Sequence, residues 1–100
     1  MHMTLSGHQV EITTALREFV EEKIQKLEHH APQITNIHIV LKVEKLNHIA
    51  EATVTLAKQQ LNALATAEHM YTAIDDLIHK LDKQLLTLKS KRLRHRDDHH

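Results

Sequence analysis

A periodic stripe of apolar side chains in the last third of the chain constrains the fold more than any other feature of the sequence. At about 100° per residue, a helix from Met70 to Arg96 collects apolar residues on one face: Met70, Ile74, Leu77, Ile78, Leu81, Leu85 and Leu88. The stripe stops at Leu88, because the next residue in line is Arg92. The spacing therefore predicts a helix that begins on a hydrophobic core and continues beyond it.

The far end of this predicted helix is cationic. Residues 83–96 contain no acidic residue and six basic ones: Lys83, Lys89, Lys91, Arg92, Arg94 and Arg96. Another set shares one helical face, at i, i+3, i+11 and i+14: Lys80, Lys83, Lys91 and Arg94. A row of this kind is typical either of a solvated helix face or of a surface that binds a polyanion.

The net charge of zero conceals an uneven distribution of charge along the chain. Residues 1–68 contain six Lys or Arg against eight Asp or Glu, whereas residues 69–96 contain seven against three. Such asymmetry favours a nucleic-acid-binding face. The 11 histidines would add positive charge to it where they are protonated.

The composition excludes several classes of function. The chain of 100 residues has no cysteine and one glycine, which excludes thiolate catalysis, cysteine metal sites and a glycine-rich phosphate loop. We expect Asp75 and Asp76 to complement a helix dipole and not to catalyse a reaction. No apolar run approaches the ~18 residues of a membrane span, and the N-terminal residues do not have the pattern of a signal peptide. These features predict a cytoplasmic protein that is not an enzyme and needs no cofactor.

Histidines in two segments of the chain are candidate metal ligands. They are His29 and His30, and in the C-terminal tail His95, His99 and His100. Their spacing matches no closed structural site, so we expect adventitious binding at most and no functional metal.

Hydrophobic periodicity divides the rest of the chain into five elements. A short strand at 3–6 is followed by a helix that starts at an N-cap, Thr13, and three runs of period two predict strands at 34–45, 49–56 and 61–67. A turn is expected at 46–48. The last strand could be a helix on propensity alone, but a period of two keeps Asn62, Thr66 and Glu68 on one polar side.

The order β-α-β-β-β-α predicts an α+β fold with two layers, in which both helices pack on one face of a four-stranded sheet. We expect one domain over residues 1–92 and a short charged tail over residues 93–100. The only aromatic residues, Phe19 and Tyr71, fall on the predicted helices, which excludes a base-stacking sheet. If the protein binds RNA, the remaining mode of recognition is through phosphate contacts and shape.

Three groups of residues resemble the short ribosome hibernation promoting factors of bacteria, relatives of the ribosome-associated inhibitor called protein Y. They are the residues at 10–28, which lead into and form the first helix; the strand run at 40–45; and the run Met70-Tyr71-Thr72-Ala73-Ile74-Asp75, which opens the lysine-bearing second helix. The resemblance covers residues 1–92 without large gaps.

The resemblance implies a protein that binds the small ribosomal subunit and its rRNA in the channel used by mRNA and by the tRNAs of the A and P sites. It would silence translation in starvation or stationary phase, compete with mRNA and tRNA, and act with a ribosome modulation factor to pair ribosomes into dimers. By position, the rRNA-binding residues on the first helix would be Lys23 and Lys26. Those on the second would be Lys80, Lys83, Lys89, Lys91 and Arg92, and the shared helical face adds Arg94.

Three alternatives remain open from the sequence. One is an inhibitor of the protein Y type that blocks ribosome dimerisation. The second is a protein–protein adaptor that associates through the open sheet face, although the outward residues Thr53, Thr55 and Thr66 are polar for a large interface. The third is a double-stranded RNA module, whose Gly-Pro-His loop this sequence lacks.

Overall fold

The protein folds as the predicted two-layer α+β domain in the computed structural model, which describes the backbone of residues 1–97 and the side chains of residues 1–89. The elements follow in the order β-α-β-β-β-α. They are β1 (His2–His8), α1 (Thr14–His30), β2 (Asn36–Glu44), β3 (Asn47–Thr55), β4 (Gln60–Ala67) and α2 (Met70–Asp97). Because α2 continues to Asp97, the predicted boundary at residue 92 falls inside a helix, and the division into domain and tail stays a prediction.

The four strands form one sheet in the order β1-β2-β3-β4. β1 is parallel to β2 because α1 crosses over between them, whereas the pairs β2–β3 and β3–β4 are antiparallel. The β2–β3 turn begins one residue earlier than predicted and is one residue shorter: Glu44 pairs with Asn47, so Lys45 and Leu46 form the turn. Lys45 adopts a left-handed φ of 57° there, a conformation that a hydrophobic pattern does not predict.

The core fills the space between the helices and one face of the sheet. The period-two prediction is confirmed: the central strands bury Ile37, Ile39 and Leu41 from β2, and Ala50, Ala52 and Val54 from β3. The stripes of both helices close over them, with Leu16, Val20, Ile24 and Leu27 from α1 and Ile74, Leu77 and Leu81 from α2. Small residues on β3 and β4 allow α2 to approach the sheet closely.

Local features fix where α1 begins. Its predicted N-cap is confirmed, since the Thr13 hydroxyl oxygen accepts a hydrogen bond from the N–H of Leu16 at 3.1 Å. Gly7, near the end of β1, is required sterically, because a Cβ there would overlap the carbonyl oxygen of Val10. The loop between them is therefore held tightly against the sheet.

Candidate nucleic-acid interface

Helix α2 has two flanks beside its buried stripe, and the two differ in chemistry. One flank lies along the free edge of β4 and carries Lys80, Lys83, Gln84 and Thr87; we call it the β4 flank. The other faces α1 across a groove of about 240 Å³. This interhelical groove is lined by Lys23, Lys26, Leu27 and His30 of α1 and by Asp75, Ile78, His79 and Asp82 of α2.

On the β4 flank, two side chains hold the helix to the edge strand. The Lys80 Nζ donates a hydrogen bond to the carbonyl oxygen of Leu64 at 2.7 Å, and the Gln84 Nε2 donates to that of Asn62 at 3.1 Å. Four residues along a helix advance ~6 Å and two along a strand advance nearly 7 Å, so the two spacings match. These bonds cover edge carbonyls that would otherwise be open to pairing with another strand.

Lys83 is the cation of this flank that remains available for a ligand. It makes no ion pair with any side chain among residues 1–89, and it borders a shallow depression with Gln59, Leu61 and Thr87. The Thr87 hydroxyl donates to the backbone carbonyl oxygen of Lys83 at 2.9 Å and does not contact its ammonium group. No acidic residue lines this depression within the described part of the chain.

In the interhelical groove, by contrast, cations are matched with acids. The Lys23 Nζ lies 3.2 Å from Asp75 Oδ1 and 5.2 Å from the centre of the Phe19 ring. The Lys23 side chain is 28% exposed, as is usual for a lysine whose apolar stem is partly covered while its ammonium group reaches the surface. Lys26 lies 3.8 Å from Glu22 on its own helix, as an exposed i, i+4 pair.

An aromatic contact joins α1 and α2 near the start of α2. The rings of Phe19 and Tyr71 meet edge to face, with their centres 4.8 Å apart. At the other end His30 and Asp82 also line a second depression, of about 390 Å³, together with Pro32, Leu85 and Lys89. The groove and this second depression therefore adjoin each other at His30 and Asp82.

The predicted rRNA-binding residues do not form one patch. The structure places Lys80 and Lys83 on the β4 flank, Lys23 and Lys26 in the interhelical groove, and Lys89 at its far end. The side chains of Lys91, Arg92 and Arg94 lie outside the described residues, although the helix backbone includes them. α2 thus separates the described cations into two groups.

Sequence reasoning missed the partners of these cations. Asp75 and Asp76 were expected to complement the dipole of α2, but no acidic residue lies in its first turn, and Asp75 pairs with Lys23 instead. The spacing of Asp75, Ile78 and Asp82 at i, i+3 and i+7 was the available signal for an acidic flank facing another helix. No sequence signal indicated that the Lys80 ammonium group contacts a backbone carbonyl.

Of the histidines that the sequence suggested as metal ligands, the structure describes the side chains of two. His29 and His30 lie side by side at the end of α1, with ring centres 6.2 Å apart. The described residues contain no group of three or more His, Cys, Asp or Glu able to hold a metal ion. The side chains of His95, His99 and His100 fall outside the described part.

Neither described helix is long and apolar enough to cross a membrane.

Comparison with known proteins identifies the family. Residues 3–93 match the family described as Sigma 54 modulation protein / S30EA ribosomal protein. The chain is 46% identical over 95 residues to the ribosome hibernation promoting factor of Salmonella typhimurium, covering 95% of this chain and 100% of that protein. The protein of the same name from Azotobacter vinelandii is 45% identical over 93 residues, covering 93% of this chain and 87% of the relative.

Solved structures agree with this assignment. A ribosomal subunit interface protein from Coxiella burnetii superposes with a TM-score of 0.86 at 39% identity, covering 90% of this chain and 99% of the other. The N-terminal domain of Thermus thermophilus Protein Y gives a TM-score of 0.77 at 28% identity, covering 85% and 96% of the two chains. The resemblance found in the sequence is confirmed, and this chain belongs to the Sigma 54 modulation protein / S30EA ribosomal protein family.

Proposed function

We propose that this protein is a ribosome hibernation factor that binds the small ribosomal subunit through its rRNA, in the mRNA channel and the region of the A- and P-site tRNAs. It acts in the cytoplasm by occupying this channel in stationary phase or starvation, and it catalyses no reaction. The observation that carries the proposal is the 46% identity over 95 residues to a protein named ribosome hibernation promoting factor. The residues assigned to this role lie within 1–92, apart from Arg94 in the tail at 93–100.

The charge distribution of α2 supports RNA as the ligand. The β4 flank offers Lys83 without an acidic neighbour in its depression, and Lys80 keeps two of its three N–H donors after its bond to Leu64. Contacts between such ammonium groups and phosphates release counterions and supply affinity without base recognition. Lys91, Arg92 and Arg94 would extend this surface along the helix.

The competing adaptor function has weaker support. On the open face of the sheet, polar side chains bond to one another: Lys42 to Glu51 at 2.9 Å and Thr53 to Asn62 at 3.1 Å. A partner that covered this face would have to desolvate these pairs. We therefore favour the helical surface as the ribosome-binding side.

Co-sedimentation with purified small subunits in a sucrose gradient tests the proposal directly. We expect the protein to move with the subunits, and to be displaced when tRNA and mRNA are added together. Footprints on the outer surface of the subunit, with mRNA still bound, would contradict the proposed location.

Gradients of whole ribosomes test the second part of the proposal. In partnership with a ribosome modulation factor, we expect this protein to increase the fraction of paired ribosomes. A decrease in that fraction would assign the protein to the inhibitor type that blocks dimerisation.

A further inference from the structure

The interhelical groove contains two histidines that the proposed function does not use. His30 comes from the last turn of α1 and His79 from α2, and both line the groove together with Lys23, Lys26, Asp75 and Asp82. With neutral imidazoles, the two lysines of the groove are balanced by its two aspartates. The charge of the groove is therefore decided by its histidines.

The existing ion pairs leave the groove free to gain positive charge when its histidines are protonated. Asp75 is already engaged by Lys23 at 3.2 Å, so Asp82 is the remaining groove carboxylate that can pair with a protonated imidazole. Glu22 lies 3.8 Å from Lys26, outside the groove lining. Protonation of both histidines thus gives the groove a net positive charge even when each acid keeps a partner.

Two further basic side chains border this region. Lys89 shares the adjoining depression with His30, and the His29 ring lies 6.2 Å from the His30 ring. A bound phosphate stabilises a protonated imidazole beside it, so phosphate binding and proton uptake at His30 favour each other.

We propose that the interhelical groove is a phosphodiester-binding site for RNA whose strength is set by protonation of His30 and His79. This inference rests on the proposed function and adds to it a dependence on pH. Histidine changes its charge between pH 5 and 8, and a protonated imidazole donates from both ring nitrogens. Affinity for the small subunit should therefore rise as the pH falls through that range, and the protein should take up protons when it binds.

The test compares two double variants that remove the same number of histidines. His30→Gln/His79→Gln alters the groove, whereas His2→Gln/His38→Gln alters neighbouring strands on the opposite face of the sheet. Binding to purified small subunits is measured at constant ionic strength from pH 8 to pH 5.5. Each proton taken up on binding changes the affinity by up to about tenfold per pH unit. We expect the wild type and the sheet variant to tighten alike, and the groove variant to lose most of this dependence.

A second measurement keeps the inference testable without ribosomes. Inorganic phosphate is titrated at pH 6 while the histidine ring protons are followed by NMR. We expect the signals of His30 and His79 to shift and that of His38 to stay in place.

The outcomes separate this inference from the proposed function. Binding to subunits with equal pH dependence in both double variants overturns the groove site and leaves the hibernation function intact. Absence of subunit binding at every pH contradicts the proposed function. Phosphate shifts that spare His30 and His79 overturn the groove site in either case.

Discussion

The two flanks of α2 both carry lysines, but the lysines differ in whether an acidic side chain lies beside them. On the β4 flank, Lys83 has no acidic partner among the described side chains, and Lys80 bonds to a neutral carbonyl. In the interhelical groove, Lys23 is held by Asp75 and Lys26 lies beside Glu22. The comparison shows that lysines that look alike in the sequence differ in whether an acidic side chain already neutralises their charge.

The largest effect is expected from Leu77→Ala, which removes support from both flanks at once. Leu77 is fully buried in the stripe that seats α2 on the sheet. Truncating a buried leucine costs ~2 to 5 kcal/mol, against a total stability of ~5 to 15 kcal/mol. Thermal unfolding should show a melting temperature lowered by about 8 °C or more. A shift below about 2 °C would contradict the observed packing.

Charge reversal on the β4 flank should have the next largest effect. Lys80→Glu/Lys83→Glu should remove the two phosphate contacts that the proposed function assigns to these lysines, each of which would steepen the salt dependence of log affinity by roughly 0.7 to 0.9. We expect affinity for small subunits to fall by orders of magnitude at moderate salt, and the slope to flatten by about two contacts. Because Lys80 also bonds to Leu64, the melting temperature of the variant is measured in parallel.

The matched control reverses acids on the exposed side of α1. Glu18→Lys/Glu21→Lys changes the net charge by the same amount in the opposite direction and breaks no ion pair among the described side chains. We expect little change or slightly tighter binding. Equal and opposite changes in the two double variants would mean that net charge, and not the β4 flank, determines affinity.

A smaller effect is expected when the groove loses an acid. Asp75→Asn removes the partner of Lys23 and should lower the free energy of unfolding by up to ~1 kcal/mol, the range for partly exposed pairs. Binding to small subunits should tighten a few-fold, because Lys23 becomes available. Asp76→Asn is the control: it removes the same charge from an exposed neighbour that has no ion pair with any described side chain. If the two variants bind and unfold alike, Asp75 does not restrain Lys23.

The smallest effect is expected at Lys45, which belongs to neither flank. Lys45→Gly relieves a left-handed backbone, and the gain is offset in part by the greater freedom of glycine in the unfolded chain. We expect the free energy of unfolding to rise by up to ~1 kcal/mol in chemical denaturation. Lys45→Ala removes the same charge without the backbone gain, so it should not stabilise the protein. Neither change should alter affinity for small subunits; a loss in both would place the β2–β3 turn in the interface.

Hydrophobic periodicity in the sequence was sufficient to predict the elements and the core. The period of two kept β4 as a strand against its helical propensity, and the stripe of α2 identified Ile74, Leu77 and Leu81 as buried. These predictions hold because periodicity reports which side of an element is apolar, a local property. The β2–β3 turn begins one residue earlier than predicted and is one residue shorter, because its position depends on the φ angle of Lys45, which a lysine side chain does not signal.

Tertiary structure alone decided the state of each cation. Lys23 and Asp75 are far apart in the sequence, and they meet because α1 and α2 dock with these faces together. Lys80 reaches the Leu64 carbonyl because α2 lies along the edge of β4 in matching register. A sequence pattern fixes the face on which a charge lies, but its partner is set by the rotation and crossing of packed elements. The sequence therefore determined where the positive charge lies, and the fold determined which of these cations already have an acidic partner.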